Sequence, residues 1–156
     1  MRPADTVGSA EARAQRRVVG DPAALDALLA LPNAHLIVDG YNVTKAGYGE
    51  LPLADQRTRL IGALAAVAAR SGAEITVAFD GGLRPPAMPP TPRSVRVLFS
   101  APDEIADDLI RRVVAAEPPG RPLLVVSSDK QVALDVGRAG AWTADAAVLL
   151  ARFGLT

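Results

Sequence analysis

A three-layer α/β fold, with a central mostly parallel sheet flanked by helices, is the architecture this sequence predicts. Two observations carry that expectation. Short β-branched apolar runs (Leu36-Ile37-Val38, Ile75-Thr76-Val77-Ala78-Phe79, Val95-Arg96-Val97-Leu98-Phe99 and Leu123-Leu124-Val125-Val126) alternate with helical patterns. Strands buried on both faces of a parallel sheet read this way. Three of the runs also lead into an aspartate: Asp39, Asp80 and Asp129. Open α/β sheets bind their ligands outside the carboxyl ends of the strands. Carboxylates collected at one edge repel unless a cation sits among them. The pattern therefore points to a divalent metal and to phosphate chemistry.

The elements follow in order. Residues 1–20 carry charge without an apolar period and read as a tail. Asp21-Pro22 opens a helical extension over 21–33, with Leu25, Leu28 and Leu29 on one side; proline suits a first helical turn. The domain proper covers 34–156, starting with a strand at 35–39. The stretch 40–52, with Gly40, Gly47 and Gly49, reads as a loop. A helix spans 53–71 and stops at Gly72. After a strand at 74–79, residues 81–94 hold two glycines and five prolines and form an irregular loop. A strand at 95–100 feeds a helix over 101–116, broken at Pro118-Pro119-Gly120. A strand at 122–127 precedes a helix at 130–139. Trp142 lies in a short edge strand before a last helix at 144–152. Right-handed crossovers are expected throughout.

Composition narrows the function classes. The 156 residues suit one domain with an extra segment. The absence of cysteine excludes disulfides and thiolate metal sites. No apolar run approaches the roughly 18 residues of a membrane span. The N-terminus lacks the apolar core of a signal peptide, so the expectation is a cytoplasmic protein without a membrane partner. The net charge of zero does not advertise a polyanion partner. Distribution is more telling: Lys45 and Lys130 are the only lysines among 17 basic residues. Arginine is the better bidentate phosphate donor. Arg84, Arg93 and Arg96 bracket the Pro-rich loop.

Helical projection sharpens the carboxylate set. At about 100° per residue, Ile105, Leu109, Val113 and Ala116 centre the buried stripe of the 101–116 helix. Asp103 and Asp107 fall on its border, while Asp108 faces solvent. A half-buried Asp107 needs a partner, which makes it a candidate ligand. Asp103 reads equally as a capping or dipole-complementing residue. Ser128-Asp-Lys-Gln131 fits a capping box, with Asp129 favourable at a helix N-terminus, yet Asp129 also converges with Asp39 and Asp107. Asp80 opens an Asp-Gly-Gly turn and could support the cluster or a second metal. Arg57 projects into the apolar face set by Leu53, Leu60, Ile61, Leu64 and Val67. A guanidinium there needs an anion, either the carboxylates or a substrate phosphate. In Asp39-Gly40-Tyr41-Asn42, the glycine would let backbone approach a ligand. Asn42 would orient a carboxylate or water, and Tyr41 would stack on a base or cover the core. His35, the only histidine, reads as structural.

Together, Asp39-Gly-Tyr-Asn42, Arg57, Val77-Ala-Phe-Asp80-Gly, Glu104-Ile-Ala-Asp107 and Ser127-Ser-Asp129 resemble the NYN domain of the YacP-like family, a branch of the PIN-like nuclease superfamily. The resemblance covers about residues 34–153. It implies a PIN-like fold and Mg²⁺- or Mn²⁺-dependent endoribonuclease activity. It places the metal on Asp39, Asp107 and Asp129, with Asp80, Asn42 and Arg57 completing the catalytic set. Glu104, Ser128 and Asp103 would support it. RNA becomes the expected partner, with Arg84, Arg93, Arg96 and Lys45 as its contacts. The family's bacterial members work in RNA processing or decay, some near the ribosome. One departure stands out: the 53–71 helix has no glutamate, where PIN-like domains often carry one. Two alternatives come from other classes. One is a non-catalytic RNA- or ribosome-binding module on the same fold. The other is a receiver-like phosphoacceptor, disfavoured because Gly40, not a second acid, follows Asp39.

Overall fold

The computed structural model describes residues 17–155. Five strands form one sheet: β1 (His35–Asp39), β2 (Glu74–Phe79), β3 (Val95–Phe99), β4 (Leu123–Val126) and β5 (Trp142–Ala144). Their spatial order is β3-β2-β1-β4-β5. Every pairing is parallel, so the sheet is wholly rather than mostly parallel. β1 lies at its centre, with Leu36 opposite both Ile75 and Leu124. All five β1 residues are buried: the apolar Leu36, Ile37 and Val38 as a central strand requires, and the polar His35 and Asp39 at its two ends as well.

Among the described residues there are six helices: α1 (Pro22–Leu29), α2 (Gly40–Tyr48), α3 (Leu53–Ser71), α4 (Ala106–Ala115), α5 (Lys130–Arg138) and α6 (Ala146–Arg152). Strand alternation sorts them into two layers. Leu36, Val38, Val77, Phe79 and Leu124 pack with Leu25, Val43, Leu60, Leu64 and Leu149, from α1, α2, α3 and α6. Ile37, Ala78, Leu123 and Val125 pack with Leu109, Ile110 and Val114 of α4 and with Val132 and Val136 of α5. The sheet thus has four helices on one face and two on the other.

Three sequence expectations need correction. The stretch 40–52 is helical over Gly40–Tyr48. Its glycines serve close packing rather than a loop. A Cβ at Gly47 would lie 2.4 Å from Leu150, and one at Gly40 would lie 2.3 Å from Phe79. The space left at Gly40 is therefore filled by Phe79, not by a ligand. The second correction concerns the helix expected from residue 101, which begins at Ala106. Before it, the Glu104 carboxylate accepts from the Ala101 N–H at 3.0 Å, and Asp108 accepts from the Ile105 N–H at 3.3 Å. These local bonds hold a turn in place of a first helical turn. Asp103 is therefore off the helix and exposed. The buried stripe centres on Leu109, Ile110 and Val114, with Ile105 exposed.

The third correction lies at the start of the described chain. Residues 1–16, most of the expected tail, lie outside the described residues. Arg17–Val19, expected to belong to that tail, instead joins the sheet edge. The Val19 N–H donates to the Thr143 carbonyl at 2.7 Å, and the Thr143 N–H donates to the Arg17 carbonyl at 2.9 Å. Val19 is buried, and α1 adds Leu25 and Leu29 to the same core. The extension is packed into the domain rather than appended to it.

Candidate active site

The parallel sheet sets the carboxyl ends of its strands along one edge. Asp39 ends β1 and shares the face of Ile37, toward α4 and α5. On β4 the same alternation brings Ser127 to that face, two residues after Val125. The Ser127 hydroxyl donates to Asp39 Oδ2 at 2.8 Å and accepts from the Asp129 N–H at 3.1 Å. Asp129 caps α5: its Oδ1 accepts from the N–H groups of Gln131 at 2.8 Å and Val132 at 3.1 Å. Asp107 sits in the first turn of α4. A strand end, a loop hydroxyl and two helix starts thus meet at one place.

Asp39 and Asp107 both feel the charge of Asp129, and Asp39 also feels Asp107. Burial pushes the Asp39 carboxyl up to about 6; the Ser127 hydrogen bond opposes the rise, and the charges of Asp107 and Asp129 add to it. Burial also raises Asp107, followed by Asp129; Arg111 opposes, and Asp108 and Asp80 add further. Arg111 is itself committed to Asp135 at 2.8 Å and Asp108 at 3.3 Å. Among the described residues, no cation pairs with Asp39, Asp107 or Asp129. Asp39 Oδ1 and Asp129 Oδ2 accept from no donor among the described residues. One oxygen from each of the three acids does not come within 4.8 Å of both others. An all-oxygen donor set with excess negative charge suits Mg²⁺ or Mn²⁺. By donor chemistry, though not by their present spacing, these residues suit such an ion.

The remaining expected residues fall into three groups. The first lies around the acids. Asp80, exposed at the end of β2, accepts from the Gly82 N–H at 3.0 Å and acts on Asp107 through space. Asn42 Oδ1 accepts from the Ser128 N–H at 2.8 Å and ties α2 to the β4–α5 turn. The Ser128 hydroxyl accepts from the Ala146 N–H at 3.1 Å, at the start of α6, so it does not touch the acids. Glu104 pairs with Arg112 at 2.6 Å.

The second group lies across the sheet. Arg57, on α3, is 7% exposed, and its Nη1 donates to the Tyr41 hydroxyl at 2.9 Å. It forms no pair with the carboxylates. Lys45 lies over the Tyr41 ring, 5.9 Å from its centroid.

The third group is the expected arginine patch, which the topology divides. Arg84 follows β2 at the acid edge. Arg93 and Arg96 flank the start of β3, at the opposite edge, about 15 Å away at the usual strand rise.

Sequence reading missed two hydroxyls. Ser127 was quoted within a motif, yet the role went to its neighbour Ser128. Alternation along β4 from Val125 would have selected Ser127. Ser100, 1% exposed, accepts from the Gly81 N–H at 3.0 Å and donates to Asp80 at 3.5 Å. It sits directly after β3, where register with β2 would have found it.

A second charged cluster occupies the other end of the sheet. His35 Nδ1 lies 2.6 Å from Glu117 and 3.1 Å from Glu74, while its Nε2 bonds the Thr76 hydroxyl at 2.8 Å. By distance alone these three could ligate a metal. Arg121 already fills that role, reaching Glu117 at 2.8 Å and Glu74 at 2.9 Å. A cavity of about 760 Å³ lies beside it, lined by Arg121, Pro118 and Trp142 among others. None of the three aspartates lines that cavity.

Solved structures share this architecture. Rae1 (YacP) from Bacillus subtilis is 26% identical and matches with a TM-score of 0.68, over 77% of this chain and 73% of that one. A tryptophan-to-leucine mutant of the same protein matches at 26% identity and a TM-score of 0.64, over 77% and 74%. Among curated proteins, none matches. The family pattern described as the YacP-like NYN domain matches residues 36–154, which contain the whole acidic edge, and the chain belongs to that family and carries its PIN-like nuclease fold.

Proposed function

We propose that this protein is a Mg²⁺- or Mn²⁺-dependent endoribonuclease that hydrolyses RNA phosphodiester bonds at the carboxyl edge of its sheet, in cytoplasmic RNA processing or decay. The observation that carries this reading is the meeting of Asp39, Asp107 and Asp129 without an internal cation. A bound divalent ion would activate the attacking water and offset charge on the leaving oxygen. Asp39, Asp107 and Asp129 are the residues to hold it. Ser127 fixes the orientation of Asp39 and the start of α5 together. Asp80 extends the negative edge, and Asn42 braces α2 against the turn that carries Asp129.

Arg84, in the loop after β2, and Lys45, on α2, would meet phosphates flanking the cut. Arg93 and Arg96 would contact only a strand that continues down the β3 edge. Glu104 and Asp103 act on the turn before α4 rather than on the metal. No helix among the described residues is long and apolar enough to cross a membrane.

The test is incubation of purified protein with mixed RNA and Mn²⁺, beside an Asp107→Asn control. Cleavage that EDTA and Asp107→Asn both abolish supports the reading. RNA that stays intact with the wild type rejects it; binding without cleavage would then favour a non-catalytic RNA- or ribosome-binding module on the same fold.

A further inference from the structure

Arg57 presents a physical problem that the acidic edge does not solve. Its side chain is 7% exposed, and its Nε is buried without any hydrogen-bond partner. Among the described residues, its one polar contact is the Tyr41 hydroxyl. A buried guanidinium is normally matched to a carboxylate, because an uncompensated buried charge is strongly destabilising. Here no carboxylate pairs with it among the described residues. Lys45 brings a second cation over the face of the same tyrosine, and it too has no carboxylate partner. Two positive charges and one phenol therefore share a locus with no anion of their own.

The position of that locus is informative. Tyr41 follows Asp39 by two residues and packs on Phe79, at 4.8 Å between ring centroids. Tyr41 and α3 belong to the layer of α1, α2 and α6. The Asp39 side chain points to the opposite face, toward Ser127 and α4. The anionic and cationic groups thus lie on either side of the backbone at Asp39-Gly40.

We propose that Arg57, Tyr41 and Lys45 form a phosphate-binding subsite, which holds a backbone phosphate next to the one being cut. An RNA strand would then cross the sheet edge over Gly40. One phosphate would face the aspartates and a neighbour would face Arg57 and Lys45. Guanidinium and ammonium groups make charge-assisted bonds to phosphate oxygens. Tyr41 holds Arg57 in place through its hydroxyl and acts as a positioning residue. This subsite rests on the nuclease reading for its ligand, but its anion preference can be measured without RNA or metal.

The first measurement is thermal unfolding in inorganic phosphate against chloride at matched ionic strength, without metal. The wild type should melt higher in phosphate by at least about 2 °C, as ligation of the native state requires. Arg57→Gln should lose that shift. Lys45→Gln, at an exposed position, should fold normally and lose about half of it. An equal shift in all three proteins, or none in any, overturns the subsite.

The second measurement uses short RNA with one neutral methylphosphonate placed in turn at each position, bound to Asp107→Asn protein. One position beside the cleavage site should weaken binding about tenfold, and Arg57→Gln or Lys45→Gln should blunt that loss. Uniform sensitivity along the RNA, unchanged by either substitution, also overturns the proposal. Wild-type cleavage of unmodified RNA is scored separately, so failure of the subsite and failure of the nuclease reading give different results.

Discussion

The two ends of the sheet carry similar groups in opposite states. At the amino end, Glu74 and Glu117 meet His35 and Arg121, and every charge finds a partner inside the protein. At the carboxyl end, Asp39, Asp107 and Asp129 meet with no cation among them. Closeness of ligating atoms favours the first cluster as a metal site. Charge balance favours the second. The difference teaches that an acid cluster poised for an outside ion would be recognised by what it lacks. A satisfied network stabilises a fold, whereas an unsatisfied one pays in stability and gains affinity for an outside ion.

The largest expected effect tests that contrast directly. Asp39→Asn should reduce RNA cleavage by about a thousandfold in Mn²⁺, because it removes a ligand from the site that positions water and leaving group. Cleavage assays under single-turnover conditions measure it. Full metal-dependent activity in that variant would break the comparison at its functional end.

Next comes the amino end. Arg121→Met leaves Glu117 and Glu74 without their cation and should cost about 3 kcal/mol of stability, read from urea unfolding. Cleavage well below the melting point should stay near wild type. A fall in specific activity of the folded variant would mean that the two ends are coupled.

Acidification should separate the ends by sign. The Asp39 carboxyl is raised to about 6 in the folded state. Its ionisation therefore penalises the fold fully above that pH. The penalty fades as pH falls from about 6 to about 4, the ordinary carboxylate value. Without metal, Asp39→Asn should be more stable than wild type at pH 7, by about 2 kcal/mol once the altered Ser127 hydrogen bond is offset. That advantage should vanish near pH 4. His35 runs the other way. Burial lowers its affinity for a proton, against the pull of Glu74 and Glu117. Its contribution is present above about pH 6.5, the ordinary histidine value, and is lost as pH falls from there through its lowered folded value. Denaturation midpoints of wild type and Asp39→Asn between pH 4 and 8 would show both trends.

The smallest effect sharpens the local geometry. Ser127→Ala should cost about 1 kcal/mol, since it removes one donated and one accepted bond. Ser128→Ala should cost less, and it should spare cleavage because its hydroxyl serves only the start of α6. Equal losses of cleavage in both variants would remove Ser127 from its place between the acids.

Much of this was legible in the sequence. The strands were, because two-faced burial writes continuous β-branched runs that no other element mimics at that length. Their aspartate ends located the acid edge, since parallel order leaves all strand ends on one side. Helix α2 was hidden because Gly40, Gly47 and Gly49 look like a loop, while two of them answer to Phe79 and Leu150, residues distant in sequence. The start of α4 was misplaced because Pro102 and Asp103 imitate a helix N-terminus, and the bonds of Glu104 and Asp108 decide otherwise. The Tyr41 partner of Arg57 was equally invisible, since helical projection places a side chain but not what crosses the gap to meet it.

The short pairing of Arg17–Val19 with Thr143 has a consequence for how copies of this protein coexist. An uncovered outer strand offers a template on which another chain can add. β5 is only three residues long and carries a Trp142 that is 37% exposed. With Val18 and Val19 laid beside it, that template is occupied by the molecule's own backbone. Clipping the chain after Gly20 would open the margin of the sheet, and crowded solutions of the clipped form should then self-associate more readily than those of the intact form.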